Sequence, residues 1–306
     1  IIKFVECLWV VFCVLIAGIC VYNIFNTNSC EEPLLSKELA STIKAAEAGD
    51  VEAQYKLGEF YYDGAEGLVQ DYASAVKWLR KAADAGNPKA QSLLGVCYEN
   101  GFGVEKNLVA AIVFYSKAVD QGIAPAYNNL GCVYGDKFGS FYNEKVAFKF
   151  FQKAAEQGNP FGQYNLAVAY LYGLGVERNY QEAINLFMKL ASNGHAGAEY
   201  FLGDCYVACK DYEEAEKWYK KAADNEEPRA QYALGQFYFY GEGVEKNMDE
   251  AMKWTKLSAE QGNSDAQYFI GLIYHEKKDY VEAMKWLDTA IANGNPGAMY
   301  SKGWIY

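Results

Sequence analysis

Apolar and polar positions in this chain follow a helical period that itself repeats. From Ala230 the sequence places Leu234 and Tyr238 at steps of four, with Gly235 beside the leucine. Steps of four put these residues on one stripe of a helix. The same stripe starts at Ala53, Ala90, Ala126, Gly162, Ala198, Ala230 and Ala266, with a truncated copy at Ala298. Its second member is Leu57, Leu94, Leu130, Leu166, Leu202, Leu234 or Ile270, and its third is Tyr61, Tyr98, Tyr134, Tyr170, Tyr206, Tyr238 or Tyr274. Self-similarity at this period marks an array of two-helix units, each needing its neighbours to bury its apolar face. The pattern predicts an all-α chain with seven units and part of an eighth.

A glycine follows the leucine at Gly58, Gly95, Gly131, Gly203, Gly235, Gly271 and Gly303, with Ala167 as the exception. Glycine weakens a helix interior by about 1 kcal/mol relative to alanine, so its repetition predicts a close approach by the next helix. That helix opens on Asp71, Asn107, Asn179, Asp211, Asn247 or Asp279. Glu182, Glu214, Glu250 and Glu282 stand three residues after four of these caps, which predicts a reciprocal capping box. Small residues such as Ala75, Ala82 and Ala83 mark its packed face, with Trp78, Trp218, Trp254 and Trp286 nearby. Gly86, Gly122, Gly158, Gly194, Gly262 and Gly294 end it, and Pro88, Pro160, Pro228 and Pro296 stop it running on. Glu226 takes the glycine's place in the fifth unit, where a different turn is expected.

Spacing between the interior glycines is 37 once, then mostly 36, and 32 after Gly203 and Gly271. The variation lies in the loop between the two helices. Long loops read Gly101-Phe-Gly103-Val104, Gly173-Leu-Gly175-Val176 and Gly241-Glu-Gly243-Val244, while short ones pass through Lys210-Asp211 and Lys278-Asp279. The third unit has Lys137 and Ser140 where the others carry the first glycine and the valine.

The Ala-x3-Leu-Gly-x2-Tyr helix, the Gly-x-Gly-Val loop and the Lys81-Ala82-Ala83-x2-Gly86 ending resemble the Sel-1-like repeat, a relative of the tetratricopeptide repeat. The resemblance covers about residues 36 to 306. It implies a right-handed superhelical solenoid of helix-turn-helix repeats, and a scaffold or adaptor that binds proteins or peptides along a concave face in membrane-linked complexes. Residues 36–50 match the second half of a unit and are expected to cap the stack, with 51–306 forming the array.

The N-terminal stretch is different. Residues 7–25 carry no charge and are mostly Leu, Val, Ile, Phe and aromatic residues. At 1.5 Å per residue they would span about 28 Å, close to the hydrocarbon thickness of a bilayer. Trp9 and Tyr22 stand near the two ends, where such rings prefer the interface. A cleaved signal would show a shorter apolar core and small residues after it, whereas Tyr22-Asn23-Ile24-Phe25 follows here. The expectation is a single-pass anchor over 1–26, a linker over 27–35, and repeats on the non-cytoplasmic side, since Lys3 precedes the stretch and Glu31 and Glu32 follow it. Cys13, Ala17, Gly18 and Cys20 give the stretch a small-residue face for helix association. The chain opens on Ile1 and stops within a repeat, and reads as cut at both ends.

The net charge of −11 argues against a nucleic-acid partner, because phosphate backbones would be repelled. Eight cysteines show no pairing that recurs from unit to unit. Cys97 and Cys205 share a repeat position and read as small buried side chains, while Cys205 and Cys209 could meet on one helix face. His195 and His275 stand outside any catalytic motif. The Gly-x-Gly-Val loops lie between helices and lack the strand and lysine of a phosphate loop. No catalytic, cofactor or metal residue is therefore assigned.

Aromatic residues exceed what the stripes need, with 26 Tyr and 17 Phe. The surplus concentrates at Phe138, Phe141 and Tyr142 in the irregular third loop, and at Phe237, Phe239 and Tyr240 around Tyr238. Exposed aromatics anchor protein partners, so these six are the candidate binding residues. The reading is a membrane-anchored, non-catalytic scaffold for protein partners. Its alternative is a structural subunit of an envelope assembly or filament, a homo-oligomer whose N-terminal apolar helices bundle together. An accessory to a polysaccharide-acting enzyme has no residue signal.

Overall fold

The computed structural model describes residues 37–65 and 67–305. Among them the chain is an all-α repeat solenoid of sixteen helices. Helix α1 (Lys37–Glu47) stands before the first pair, α2 (Val51–Asp63) and α3 (Tyr72–Asp84). Then come α4 (Pro88–Asn100) with α5 (Leu108–Asp120), and α6 (Ala124–Gly135) with α7 (Glu144–Glu156). Next are α8 (Pro160–Tyr172) with α9 (Tyr180–Ala191), and α10 (Ala196–Ala208) with α11 (Tyr212–Asp224). Last are α12 (Pro228–Tyr240) with α13 (Met248–Glu260), α14 (Ser264–Glu276) with α15 (Tyr280–Ala292), and α16 (Pro296–Ile305). The apolar stretch 7–25, with Cys13, Ala17, Gly18 and Cys20, lies outside the described residues. Among those described, no helix is long and apolar enough to cross a membrane.

Contacts divide the chain within α5 into a unit ending at Phe114 and a unit beginning at Tyr115. In the first, Leu39 and Ala46 of α1 pack on Leu57 of α2, and Ala75, Leu79 and Ala82 of α3 pack on Leu94 and Cys97 of α4. In the second, Ala183 and Phe187 of α9 meet Leu202 and Cys205 of α10, and Ala215 and Tyr219 of α11 meet Ala230 and Leu234 of α12.

The interior glycines do what their repetition predicts. A Cβ on Gly58 would lie 2.7 Å from Leu79 Cγ, inside contact distance. At Gly131, Gly203 and Gly235 it would overlap Phe151, Tyr219 and Thr255. In these units the glycine therefore seats one side chain of the second helix. The helices starting at Pro88, Pro160, Pro228 and Pro296 show that these prolines begin the next helix as well as ending the last. The missing N–H costs nothing at a first turn.

The loop is closed by one backbone bond in every unit. The N–H of Asp71, Asn107, Asn143, Asn179, Asp211, Asn247 or Asp279 donates to the carbonyl of Tyr61, Tyr98, Tyr134, Tyr170, Tyr206, Tyr238 or Tyr274, at 2.7–2.9 Å. Long and short loops share this closure, so loop length varies without moving the helices it joins. The cap side chains accept the N–H of Glu182, Glu214, Glu250 and Glu282, the first half of the capping pattern. The closure also explains why the return bond from the glutamate does not form. The cap N–H that Glu214, Glu250 and Glu282 would accept is already taken by a tyrosine carbonyl. These glutamates instead pair with Lys217, Lys253 and Lys285.

Glu226 corrects a second expectation. The turn it occupies is the same as in other units: its φ is +61° and its N–H donates to Ala223 O at 3.0 Å, as Gly86 does to Ala83 O. The surrounding bonds impose the left-handed conformation on a residue with a Cβ. Lys210 and Lys278 sit likewise at φ +62° in the short loops. Such residues are strained by about 1 kcal/mol or more. Glu226→Gly is expected to raise stability by about 1 kcal/mol, read as a higher urea midpoint at unchanged slope.

A polar device recurs that the apolar pattern hides. Gln54, Gln91, Gln163, Gln231 and Gln267, one residue after each start, donate to the carbonyls of Ala46, Ala83, Ala155, Ala223 and Ala259, at 3.0–3.5 Å. Each bond ties the first helix of a unit to the end of the helix before it. In the third unit the Tyr127 hydroxyl makes the equivalent bond to Val119 O at 3.2 Å. In the fifth the position holds Glu199, which cannot donate once ionised.

Candidate partner-binding site

The third unit departs from the repeat where its long loop should begin. Helix α6 ends at Gly135, and Asp136 caps it at φ −71°, whereas Gly101, Gly173 and Gly241 cap their helices in the left-handed region. The Asp136 carboxylate accepts the Phe138 N–H at 3.0 Å, and Gly139 N–H donates to Asp136 O at 2.9 Å. This turn returns the chain to the Asn143 cap, which accepts from Val146 N–H at 3.2 Å and which the sequence pattern had not marked.

Gly135 stands at the register of Tyr62, Glu99, Leu171 and Phe239 in the other long units, all of which carry a large side chain there. With no side chain there, and no Gly-x-Gly-Val loop folding over the gap, a pocket of about 500 Å³ opens. Phe148, Phe151, Val168 and Leu174 line it, with Asp136 and Glu144 among its polar members. A Cβ on Gly135 would find Ala147 Cβ at 3.6 Å and Phe151 at 3.9 Å, ordinary contact with room beyond.

The loop's three candidate aromatics are placed differently. Phe138 is 88% exposed, with the Lys137 ammonium 4.9 Å from its ring centre. Tyr142 is 45% exposed, lines the pocket and donates its hydroxyl to Glu144. That bond, with the negative charge it brings, holds the phenol above its ordinary pKa. Phe141 is half-buried and does not line the pocket.

Of the second group, Tyr240 is 58% exposed, and Phe239 is half-buried between Tyr240 and Phe269 with Lys246 over its ring. Phe237 is a correction. It is 5% exposed, edge-on to Tyr219, and offers no surface to a partner. Its position is that of Cys97, Val133, Ala169, Cys205 and Ile273, all buried. The first helix of each unit is covered on more than the Leu-Tyr stripe, because helices before and after it both pack on it.

His195 caps α10, its Nδ1 accepting the Ala198 N–H at 3.1 Å, as Asn87, Asn159 and Asn263 cap the corresponding helices of other units. His275 lies in the last turn of α14 against Tyr280. Cys205 is buried and Cys209 exposed, both as free thiols, and burial pushes Cys205 up to about 12.

Sequence reasoning missed a polar cluster centred on Asp204, which stands where Val96, Val168 and Leu272 stand in other units. Its carboxylate accepts from the Tyr219 hydroxyl at 2.6 Å and from Tyr172 at 3.4 Å. Burial raises the Asp204 pKa, opposed by the hydrogen bonds of Tyr219, Tyr200 and Tyr172. The phenols are raised in turn, first by burial and then by the Asp204 charge, with Tyr172 pushed up to about 12. Arg229 stacks 4.7 Å from the Tyr200 ring centre and pairs with Glu227 at 2.8 Å. The cluster holds phenols in their neutral, donating form and has no activated nucleophile.

A pH dependence follows. Below pH about 10 these phenols are protonated in both folded and unfolded chains, and the full stability is present. Above it the unfolded chain ionises first, so stability falls as pH rises from about 10 through the raised folded values. Tyr172 and Tyr232, both near 12, set the lower part of that window. In an alkaline titration, tyrosinate absorbance and loss of helical circular dichroism are expected to rise together. Tyr219→Phe should make the loss less steep.

Similarity to known proteins follows the same division of units. The Sel1 repeat model matches residues 51–87, 88–123, 124–159, 160–195 and 228–263, together more than half of the chain. Tetratricopeptide repeat models match 200–231 and 253–298, where the two short units lie. Among solved structures, c5321, a protective antigen of uropathogenic Escherichia coli strains with an SLR fold, is 35% identical with a TM-score of 0.70. The match covers 86% of this chain and 58% of that one. A Sel1 repeat protein from Oxalobacter formigenes is 32% identical with a TM-score of 0.65, covering 87% of this chain and 79% of that one. HRD3A of Arabidopsis thaliana, an ERAD-associated E3 ubiquitin-protein ligase component, is 45% identical over 58 residues. Those residues are 19% of this chain and 9% of HRD3A, so the similarity spans less than a tenth of that relative. The repeats, the closures between them and these matches agree: the chain belongs to the Sel1 repeat family.

Proposed function

We propose that this chain is a membrane-anchored, non-catalytic scaffold that holds protein partners, and that the third unit is where it holds one. The observation that carries the reading is the departure at Gly135–Asn143. A loop that the second, fourth and sixth units close with Gly-x-Gly-Val here leaves a pocket open and sets Phe138 outside it, 88% exposed. Large exposed rings beside a desolvated pocket are the usual anatomy of an interface hot spot. The uncharged stretch 7–25 supports the anchor, and Lys3 before it against Glu31 and Glu32 after it supports repeats on the non-cytoplasmic side. HRD3A, an ERAD-associated ligase component by name, lends the role of a component in a protein assembly by analogy.

The test is photocrosslinking in native membranes with benzoylphenylalanine at position 138, and at the equally exposed Val69 as a control. A discrete adduct at 138 and none at 69 is expected. Absence of any adduct at 138 would remove the third unit as a partner surface. Alkaline carbonate extraction tests the anchor, which keeps the chain in the membrane pellet if the reading holds.

A further inference from the structure

We propose that the pocket beside Gly135 takes one large apolar side chain of a partner segment, with a lysine or arginine of that segment held at its edge. The inference rests on the scaffold reading above and names the chemistry of the segment bound. At about 500 Å³ the pocket lies within the range of binding sites and is roomy for a leucine or phenylalanine side chain. Phe148, Phe151, Val168 and Leu174 supply apolar contact, so an apolar group is what the interior favours.

The edge is acidic. Asp136 and Glu144 both line the pocket, and each has a hydrogen bond that fixes it, from Phe138 N–H and from the Tyr142 hydroxyl. Neither bond neutralises a charge. Lys137 also lines the pocket, but its ammonium lies over the Phe138 ring at 4.9 Å. Two carboxylates against one such lysine, on a chain of net charge −11, complement a cationic neighbour and repel an acidic one.

The register provides a variant that closes the pocket without inventing a structure. Leucine occupies the same position at Leu171, where it is 4% exposed. Gly135 needs no positive φ, and a Cβ there meets nothing nearer than 3.6 Å. Gly135→Leu is therefore expected to fold and to fill the pocket itself.

The experiment uses the full chain in lipid nanodiscs and three tetrapeptide probes, acetylated and amidated: Gly-Leu-Arg-Gly, Gly-Ser-Arg-Gly and Gly-Leu-Glu-Gly. Binding is read from amide NMR shifts of Gly139 and Asn143. Gly-Leu-Arg-Gly is expected to bind at least tenfold more tightly than Gly-Ser-Arg-Gly and at least fivefold more tightly than Gly-Leu-Glu-Gly. Gly135→Leu should abolish its binding with circular dichroism and melting temperature unchanged. Should that variant lose helicity, Asp136→Asn with Glu144→Gln, which keeps both hydrogen-bond acceptors, should bring the Arg and Glu peptides to equal affinity. Equal binding of all three peptides to the unaltered chain would overturn the proposal, as would undiminished binding to folded Gly135→Leu. An adduct at position 138 that persists in Gly135→Leu would leave the scaffold standing and remove the pocket. Absence of any adduct at 138 in the unaltered chain would remove the third unit as a partner surface, and the pocket with it.

Discussion

Gly175→Ala lowers the stability of the array by about 3 kcal/mol or more, while Gly194→Ala costs about 1 kcal/mol. Both glycines have positive φ, +72° and +77°, and in both a Cβ suffers the same left-handed penalty. What separates them is the space around them. Nothing lies within 4 Å of a Cβ built at Gly194. At Gly175 the added atom would overlap the Glu144 carbonyl and sit 2.9 Å from Lys145 N, both backbone atoms of the first turn of α7. A side chain can rotate away from such an intrusion, but a helix terminus has to shift, and the loop of one unit would lift off the unit before it. Because a repeat array is held by nearest-neighbour interfaces, the loss should appear as earlier, less cooperative unfolding. Urea unfolding of both variants, followed by circular dichroism, checks it. Equal midpoints for the two would mean that this contact between units contributes nothing.

The same glycine shows what a sequence pattern can carry. Gly-x-Gly-Val was readable as a turn between helices, and Gly173 is the helix cap that reading requires. That the second glycine lies against the preceding unit was not readable, since a turn and an inter-unit contact demand the same residue. The interior glycines were readable for the opposite reason: in mid-helix, propensity offers no other excuse for them. Phe237 was misplaced because the Leu-Tyr stripe understates how much of α12 is covered. Glu226 misled because glycine is the residue most comfortable at positive φ, but not the only one a well-bonded turn can force there. The pocket was half legible. Missing loop residues and surplus aromatics marked the third unit, whereas the cavity arises from an ordinary-looking Gly135, informative only once its register is set beside Leu171 and Phe239.

In the first helix of the fifth unit, Asp204 and Glu199 are carboxylates at positions mostly uncharged in the other units, and both are met by partners from α11. Tyr219 of α11 serves Asp204, while Lys221 and Asn225, at its end and cap, serve Glu199. This unit also has a short loop and lies largely within a stretch matched by a tetratricopeptide model rather than the Sel1 one. Its first helix thus exchanges the glutamine tie to the preceding helix for ionic and phenolic ties to its own partner helix. That predicts which interface weakens when each tie is cut.

Lys221→Met is expected to cost about 2–3 kcal/mol, below the range for breaking a fully buried pair because Lys221 is half exposed. Glu199 is 0% exposed, and its Oε2 accepts from Asn225 Nδ2 at 2.9 Å. Its Oε1 lies 3.0 Å from the Lys221 ammonium, off the direction of a hydrogen bond, so the lysine acts there chiefly as a charge. Removing it strands a carboxylate that no water reaches. Glu199→Gln should do the reverse of harm. An amide at this register can donate to Ala191 O, as Gln231 does to Ala223 O, and still accept from Asn225, as Gln267 does from Asn293 at 2.8 Å. Its stability is expected within about 1 kcal/mol of the parent, since isosteric replacement of an ion pair is often neutral or better. In the double variant the lysine has nothing left to neutralise, so Lys221→Met on the Glu199→Gln background should cost under about 1 kcal/mol. Urea midpoints for the four proteins measure the coupling directly. If Lys221→Met cost the same on both backgrounds, Lys221 would be stabilising α11 through its own packing, including its ammonium 4.9 Å from the Trp218 ring centre, and not through Glu199.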